Sequence, residues 1–193
     1  MHLGLFMMPL HPPSRTLSET LAEDTAKSIY ADQLGYEELW MGEHFTATTE
    51  PFPAPMMFLS NLISQTKNMK FATGVINLPN HHPAVVAGEV AQFDHMTGGN
   101  FILGIGPGGL ISDFELFDNM DGDIRARKFA ESIDMILDIW AGEPPFDLDG
   151  EFWSVKIKDG IIDELGIGHM AKPLQQPHPP IALSIASPHS GSA

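Results

Sequence analysis

The sequence predicts an α/β fold built on a parallel sheet. Short apolar segments alternate with longer segments in which apolar residues recur at helical spacing. Most of the short segments are almost continuously apolar, which is typical of parallel strands buried on both faces. This alternation implies right-handed crossovers, in either an open doubly wound sheet or a closed barrel. The chain has 193 residues, of which 43% are hydrophobic, and this length favours one packed domain.

The first predicted elements have recognisable ends. Five apolar segments are predicted as strands: residues 3–8, 37–41, 70–76, 101–105 and 181–185. Thr16 and Glu19 form a capping-box pattern that begins the first helix, and Gly35 ends it. The second helix begins at Pro55, and its apolar stripe consists of Leu59, Leu62 and Ile63.

Two further helices complete the alternation. Pro83 lies in the first turn of the third helix, whose apolar face consists of Val86, Val90 and Phe93 and which ends at Gly98 and Gly99. The stripe of the fourth helix consists of Phe129, Ile133, Ile136, Leu137 and Trp140. After Gly142, a proline-rich excursion over residues 143–180 interrupts the rhythm before the fifth strand, and one short strand is predicted within it over residues 152–157.

The composition excludes several classes of protein. The formal net charge of −15 opposes binding to nucleic acid and to anionic membranes. The sequence contains no cysteine, which excludes disulfides, thiolate metal sites and a cysteine nucleophile. The apolar segment 3–8 is too short to span a membrane and lacks the features of a signal peptide. We therefore expect a cytoplasmic protein.

Glu43 and His44 are the strongest catalytic candidates. They follow the second predicted strand, and ligands of parallel α/β folds bind at the carboxyl ends of the strands. A histidine titrates near neutrality and can act as an acid, a base or a hydrogen-bond donor, while an adjacent acid can contact a ligand. The alternative is a loop histidine whose ring is satisfied by backbone groups.

Two other polar patterns resemble metal sites only superficially. His81 and His82 are adjacent, so in an extended chain they point to opposite sides, and His82 is better explained as the cap of the third helix. The acidic residues Asp118, Asp121 and Asp123 do not fit the spacing of a calcium loop. We expect them in a solvated loop and predict no metal site.

A glycine-rich pattern follows the fourth strand. Gly104, Gly106 and Gly109 match G-x-G-x-x-G, which is typical of a dinucleotide-binding turn. That turn normally follows the first strand, and here no convincing helix start comes directly after it. The alternative is a loop that gives a ligand close access to the backbone. After the fifth strand, Ser187 and Ser190 suit either an anion or an ordinary helix cap.

Several motifs together resemble those of one enzyme family. They are YEELWMGEH at residues 36–44, TGVINLPNHHP at 73–83, FDHMTGGN at 93–100 and GIGPG at 104–108. In this order they resemble the bacterial luciferase-like flavin monooxygenases, and the limonene monooxygenase-like and alkanal monooxygenase-like members look most similar. The resemblance covers essentially the whole chain.

The resemblance implies a TIM (β/α)8 barrel that uses reduced FMN and O2 to oxidise a small apolar substrate, such as an aldehyde or an alkene. A separate flavin reductase would supply the reduced FMN, and a homo-oligomer is expected. A deazaflavin-dependent oxidoreductase of the same fold is one alternative. A catalytically silent flavin-binding or interaction fragment is another.

The resemblance also implies roles for individual residues. His44 corresponds to the family's catalytic histidine beside the flavin, and Glu43 lines the same site. Gly74 and Val75 match the place where the family often has a non-prolyl cis peptide under the flavin ring. The remaining cofactor-binding residues comprise two in the glycine-rich loop and two that would hold the flavin phosphate: Gly106, Gly108, Ser187 and Ser190.

The sequence departs from the family pattern in two residues and in length. Pro107 stands where the luciferases proper have a phosphate-binding arginine, and the limonene-type members share the proline. Ala186 stands where the luciferases have an acid. A complete barrel of this type needs about 250 residues. The 193 residues are therefore expected to form a single, incomplete barrel domain that is C-terminally truncated and covers about the first five strands.

Overall fold

The structure, a computed structural model, describes residues 2–185. The helices in this range are α1 Leu17–Gln33, α2 Pro55–Leu62, α3 Pro83–Met96, α4 Ile111–Leu116 and α5 Gly122–Ala141. The strands are β1 Gly4–Met7, β2 Glu38–Met41, β3 Lys70–Thr73, β4 Ile76–Asn77, β5 Phe101–Gly106, β6 Phe146–Asp149, β7 Ser154–Ile157 and β8 Ile181–Leu183. Single turns of 3-10 helix occupy Leu78–Asn80 and Asp163–Leu165.

The main sheet is parallel throughout. Its strand order is β1-β2-β3-β5-β4, and β8 pairs with β5. Met7 lies opposite Met41, and Met41 lies opposite Thr73, so the carboxyl ends of the first three strands lie along one edge. The predicted α/β fold with a parallel sheet is confirmed.

The third predicted strand, residues 70–76, is divided in the structure. β3 ends at Thr73, β4 begins at Ile76, and the peptide bond between Gly74 and Val75 is cis. β3 pairs with β2 and with the start of β5, whereas β4 pairs with the end of β5. Hydrophobic pattern alone gives no sign of this break, because apolar residues lie on both sides of it.

Helices cover one face of the sheet. The strands contribute side chains to the core that are at most 3% exposed, including Leu39, Met41, Phe71, Phe101, Leu103 and Ile105. The predicted helical stripes supply the facing side chains, which include Leu59, Leu62, Val86, Val90, Phe93, Ile136 and Trp140. On the opposite face of the sheet, Phe6 is 59% exposed and Trp40 is half-buried. This second face is open at β1, and it also carries Glu38, which accepts a hydrogen bond from Trp40 Nε1 at 2.9 Å.

The excursion over residues 143–180 contains a β-hairpin. β6 and β7 pair antiparallel, and β7 is the strand predicted over residues 152–157. β6 escapes prediction because its four residues, FDLD, carry too little periodicity. The carboxylate of Glu131 on α5 accepts the backbone N–H groups of residues 151–153 at 2.7–3.2 Å, which fixes the hairpin turn to α5.

The short helix α4 corrects one expectation. It begins at Ile111, directly after the glycine-rich loop, where no convincing helix start is expected from the sequence. No side chain caps its first turn, and this explains why the usual start signal is missing. Asp121, from the acidic run, caps the following helix α5 by accepting the N–H groups of Asp123 and Ile124.

Candidate active site

The loops that follow β2, β3 and β5 meet at the carboxyl edge of the sheet. Gly74 N donates to the Met41 carbonyl at 2.6 Å, which joins the end of β3 to the end of β2. A Cβ atom on Gly106 would lie 2.8 Å from Val75 Cγ2, so the end of β5 closely approaches the Gly74–Val75 bond. The predicted site residues at this edge are Glu43, His44, Gly74, Val75, Gly106 and Gly108.

Glu43 lies at the centre of a buried hydrogen-bond network. Asn77 donates to its Oε1 from the backbone N at 3.2 Å and from Nδ2 at 3.1 Å. His81 Nε2 lies 2.9 Å from its Oε2. Both carboxylate oxygens therefore have partners, and the Glu43 side chain is only 2% exposed. Glu43 ties the loop after β2 to the loop after β4.

His44 lies between two carboxylates. Its Nε2 is 2.9 Å from Glu50 Oε2, and its Nδ1 is 3.5 Å from Asp113 Oδ2. The His44 side chain is 15% exposed, and Nδ1 is a buried polar atom without a hydrogen-bond partner among the described residues. The alternative of a ring satisfied by backbone groups is wrong, because a carboxylate engages it.

Asp113 holds the loop that carries His44. Its Oδ2 accepts the backbone N–H of Phe45 at 3.2 Å, and its Oδ1 accepts the backbone N–H of Thr46 at 2.9 Å. The Thr46 hydroxyl also donates to Oδ1. The Asp113 side chain is 3% exposed. Through Asp113, the helix α4 becomes part of the site.

The glycine-rich loop brings backbone close to this edge. Gly108 has a φ of +92°, a backbone conformation that residues other than glycine rarely adopt. A Cβ atom on Gly108 would also lie 2.9 Å from Phe114 Cε1. A Cβ atom on Gly106 would lie only 2.4 Å from Ser184 Oγ. Both positions therefore require glycine. Ser187 and Ser190, the expected phosphate-binding residues, lie outside the described residues.

The two adjacent histidines have separate roles. His82 Nδ1 accepts the backbone N–H of Ala84 at 3.2 Å, so the predicted cap of the third helix is confirmed. His81 turns to Glu43 instead. Within residues 2–185, no group of three or more histidine, aspartate or glutamate side chains is arranged to hold a metal ion. In the same range, no helix has the length and hydropathy required to cross a bilayer.

Four residues of the site were not predicted from the sequence as site residues: Glu50, Asn77, His81 and Asp113. Asn77 and His81 follow the third predicted strand, so the rule that ligands bind at strand ends selects their loop. Glu50 and Asp113 carry no such signal, because only the folded loops bring them to His44. A cavity of about 460 Å³ between α2 and α3 also reaches Glu43 and His81.

A parallel sheet with polar side chains at the carboxyl ends of its strands is typical of α/β enzymes, including (β/α) barrels. Residues 1–187 match the family model described as "Luciferase-like monooxygenase". The chain therefore belongs to the luciferase-like monooxygenase family. The resemblance inferred from the loop motifs is confirmed.

Three of the curated relatives illustrate the monooxygenases among them. The chain is 39% identical over 142 residues to 4-hydroxyprotoasukamycin monooxygenase of Streptomyces nodosus subsp. asukaensis, covering 74% of this chain and 38% of that protein. It is 34% identical over 140 residues to limonene 1,2-monooxygenase of Rhodococcus erythropolis, covering 72% and 36%. It is 30% identical over 178 residues to the oxygenase component of flavin-dependent trigonelline monooxygenase of Acinetobacter baylyi, covering 87% and 46%. The chain thus spans less than half the length of these relatives.

Solved structures share the fold. The oxygenating constituent of 3,6-diketocamphane monooxygenase of Pseudomonas putida, a type II Baeyer-Villiger monooxygenase in complex with FMN, superposes with a TM-score of 0.87 at 26% identity. The match covers 97% of this chain and 53% of that structure. An F420-dependent secondary alcohol dehydrogenase superposes with a TM-score of 0.73 at 18% identity, covering 95% and 52%, and shares the fold alone.

Proposed function

We propose that the chain is part of a flavin-dependent monooxygenase that uses reduced FMN and O2 to oxidise a small apolar substrate, as a single, incomplete (β/α) barrel domain. One observation carries the proposal: His44 lies between two carboxylates at the carboxyl ends of the strands. Membership of the luciferase-like monooxygenase family and the FMN complex of a related structure support it.

The residues at this edge fit FMN. The glycine-rich loop around Gly106 and Gly108 keeps backbone close to the site, and Phe6, Trp40 and Val75 offer apolar surface to a flat ring. We propose that Gly74, Val75, Gly106 and Gly108 contact the flavin, and that Ser187 and Ser190 hold its phosphate. When bound, reduced FMN supplies the electrons for oxygen activation.

The protein's own side chains have distinct proposed roles. His44 accepts or donates a proton at the ring nitrogen that faces the ligand. Glu43 lines the site and holds its loops in place through Asn77 and His81, which keeps the geometry fixed. The apolar side chains of Phe6 and Trp40 favour a substrate without charge. This apolar surface supports an aldehyde, an alkene or a similar apolar compound as the substrate.

A deazaflavin-dependent oxidoreductase is the second candidate. Its support is the fold shared with the F420-dependent secondary alcohol dehydrogenase. Such an enzyme transfers hydride without O2, so oxygen uptake separates the two candidates. A catalytically silent flavin-binding fragment would bind FMN but would consume no O2.

The experiment measures oxygen uptake by the protein with FMN, a flavin reductase and a monoterpene or cyclic ketone. We expect uptake coupled to substrate oxidation, and we expect His44→Ala to lower the rate about 100-fold or more. The control is His2→Ala, since the His2 side chain is 89% exposed at the opposite end of the strands. Unchanged substrate oxidation by His44→Ala would contradict the role of His44. Hydride transfer to a deazaflavin without oxygen uptake would favour the deazaflavin-dependent oxidoreductase over the FMN-dependent monooxygenase.

Partners of the whole protein are also proposed. A separate reductase would supply reduced FMN, and the relative named as the oxygenase component of trigonelline monooxygenase supports this arrangement. We further propose a cytoplasmic homo-oligomer. Support for self-association comes from α2, where Met57 is 76% exposed between two grooves.

A further inference from the structure

We propose that Met8 is a specificity-determining residue whose thioether forms one wall of the substrate pocket, in the space left by the absent side chain of Gly42. The inference rests on the proposed function, in which a small apolar substrate is oxidised beside the flavin at the carboxyl edge of the sheet. It adds the end of the first strand to a site that is otherwise built from the loops after β2, β3 and β5.

The alternation of side chains along the strands places Met8 on the second face of the sheet. Met7 and Met41 lie opposite each other in β1 and β2, and both are buried in the core beneath the helices. Successive residues of a strand point to opposite faces of the sheet. Gly42 N donates to the Met7 carbonyl at 3.0 Å, so the pairing of the two segments continues past Met41. Residues 8 and 42 therefore lie side by side on the face away from the helices.

Gly42 leaves the space that the Met8 side chain occupies. A Cβ atom on Gly42 would overlap the Met8 sulfur, and it would lie 3.0 Å from Met8 Cε. Any other residue at position 42 would therefore displace the thioether, because packed side chains cannot share the same volume. Met8 is half-buried, so part of its side chain is accessible on this face. The thioether thus covers the end of β2 and still presents surface to a ligand.

The same space borders the peptide that is proposed to contact the flavin. The carbonyl oxygen of Gly74 lies 3.2 Å from the position that a Cβ atom on Gly42 would take. A Cβ atom on Gly74 would lie 2.8 Å from Phe6 Cε2 and 3.3 Å from Trp40 Cβ. The Met8 thioether, the Phe6 ring and Gly74 therefore meet in one region of the second face.

A methionine side chain suits an apolar pocket wall. It is unbranched and polarizable, so it adapts to the shape of a neighbour and makes favourable contacts with aromatic rings. Phe6, which is 59% exposed, supplies such a ring two residues before Met8 on the same face. A thioether carries no charge, so it selects between apolar substrates by the space that it fills. The volume of the side chain at position 8 therefore limits the size of the substrate.

The first test observes Met8 in the unaltered protein. The NMR signals of the methionine ε-methyl groups are followed while camphor, a ketone with two rings, is added to the protein in the presence of FMN. We expect the Met8 signal, assigned by its loss in Met8→Leu, to shift saturably. The signal of Met135, which is buried on α5, should stay in place and serves as the control. A Met8 signal that stays in place while the amide signals of residues 74–77 shift saturably would overturn the inference.

The second test compares camphor with cyclohexanone, which has one ring. The ratio of their dissociation constants is measured with FMN present, from the amide signals of residues 74–77. Met8→Ala should change the ratio about tenfold in favour of camphor, because the truncated side chain leaves space for the second ring. Met8→Leu should keep the ratio within about twofold, since the two side chains have similar volumes. The control is Met120→Ala, since Met120 is 57% exposed in the loop before α5.

The outcomes separate the role of Met8 from the proposed function. An unchanged ratio in a Met8→Ala variant that retains its fold in thermal unfolding would overturn the inference. The methyl titration decides the question if Met8→Ala does not fold. Absence of any saturable shift with either ketone would overturn the inference together with the proposed substrate class. A shifted Met8 signal and a changed ratio in a protein that oxidises neither ketone support the role of Met8 and count against the proposed oxidation alone.

Discussion

Buried carboxylates in this chain hold the backbone of distant loops. Four of them accept backbone N–H groups far away in the sequence: Asp32, Glu43, Asp94 and Asp113. The acidic excess, −15 in total, therefore includes structural groups as well as solvated ones.

Asp94 offers a test of such a residue. It is fully buried, and its two oxygens accept Gln175 N at 2.8 Å and Gln175 Nε2 at 2.6 Å. We expect Asp94→Ala to lower the free energy of unfolding by about 2 kcal/mol, because hydrogen bonds to a charged group are lost and Gln175 loses its partner. Urea unfolding measures the change, with the exposed Asp134→Ala as control. Equal stability of the two variants would contradict the role of Asp94.

The sequence was sufficient to predict the site residues that lie at strand ends. His44 and Glu43 could be found because they directly follow an apolar strand, and strand ends are where ligands bind. Their partners Glu50 and Asp113 could not be found, since Glu50 reaches His44 through a turn and Asp113 through α4. Neither contact has a sequence period or a local motif.

At the scale of elements, helix α1 shows how a local pattern succeeds. The predicted capping box is present: Thr16 N donates to Glu19 Oε2 at 2.9 Å, and Glu19 N donates to Thr16 Oγ1 at 3.3 Å. The pattern could be predicted because donor and acceptor lie within one turn. Helix ends that carry such caps could be predicted from the sequence. Helix α4 has no side-chain cap, and it was not predicted.

This capping box predicts a pH dependence of stability. The pKa of Glu19 lies below its ordinary value of 4.5, chiefly because the backbone N–H of Thr16 donates to its carboxylate. The stabilisation by ionised Glu19 is complete above that ordinary value and is lost as the pH falls through the lower folded value. We expect the stability difference between the unaltered protein and Glu19→Gln to shrink on acidification from about pH 6 to about pH 3.

Urea unfolding over that pH range measures the difference. Glu115→Gln, on an exposed position of α4, gives the baseline for loss of one surface carboxylate. A difference that stays constant down to the lowest pH would contradict the assigned role of Glu19.

Two elements show why irregular structure resists prediction. The break between β3 and β4 lies inside an apolar run, so periodicity cannot reveal it, and only the family resemblance pointed to Gly74–Val75. The hairpin β6–β7 depends on Glu131 of α5, which accepts three successive backbone N–H groups at the turn. Such long-range contacts override the weak local pattern of a four-residue strand.

At the scale of the whole molecule, the sheet has one covered and one open face. The alternation of strands and helices predicted the covered face, because each crossover helix packs on the strands it connects. The expectation of strands buried on both faces is not met on the second face, where Phe6 is 59% exposed. The chain matches 53% of the length of the diketocamphane monooxygenase structure, and the open face carries Phe6 and Trp40. In the proposed enzyme this face is the interior of the barrel.

Self-association through α2 has a direct test. Met57 lies between two grooves, and no charged residue lines the groove between α1 and α2. A second copy that packs on this surface would bury apolar area, and a charge there would oppose the contact. We expect Met57→Glu to shift the protein from an oligomer to a monomer in analytical ultracentrifugation. The control is Leu34→Glu, since Leu34 is 59% exposed at the end of α1 and lines neither groove. An unchanged distribution in Met57→Glu would contradict the proposed contact.

The central claim is that flavin binds at the carboxyl edge of this sheet. The most direct measurement is a titration of the protein with FMN, up to millimolar concentration, followed by the backbone amide signals in NMR. We predict saturable shifts at residues 43–45, 74–77 and 106–108. Shifts confined to the amino ends of the strands, or no saturable shift anywhere, would contradict the claim.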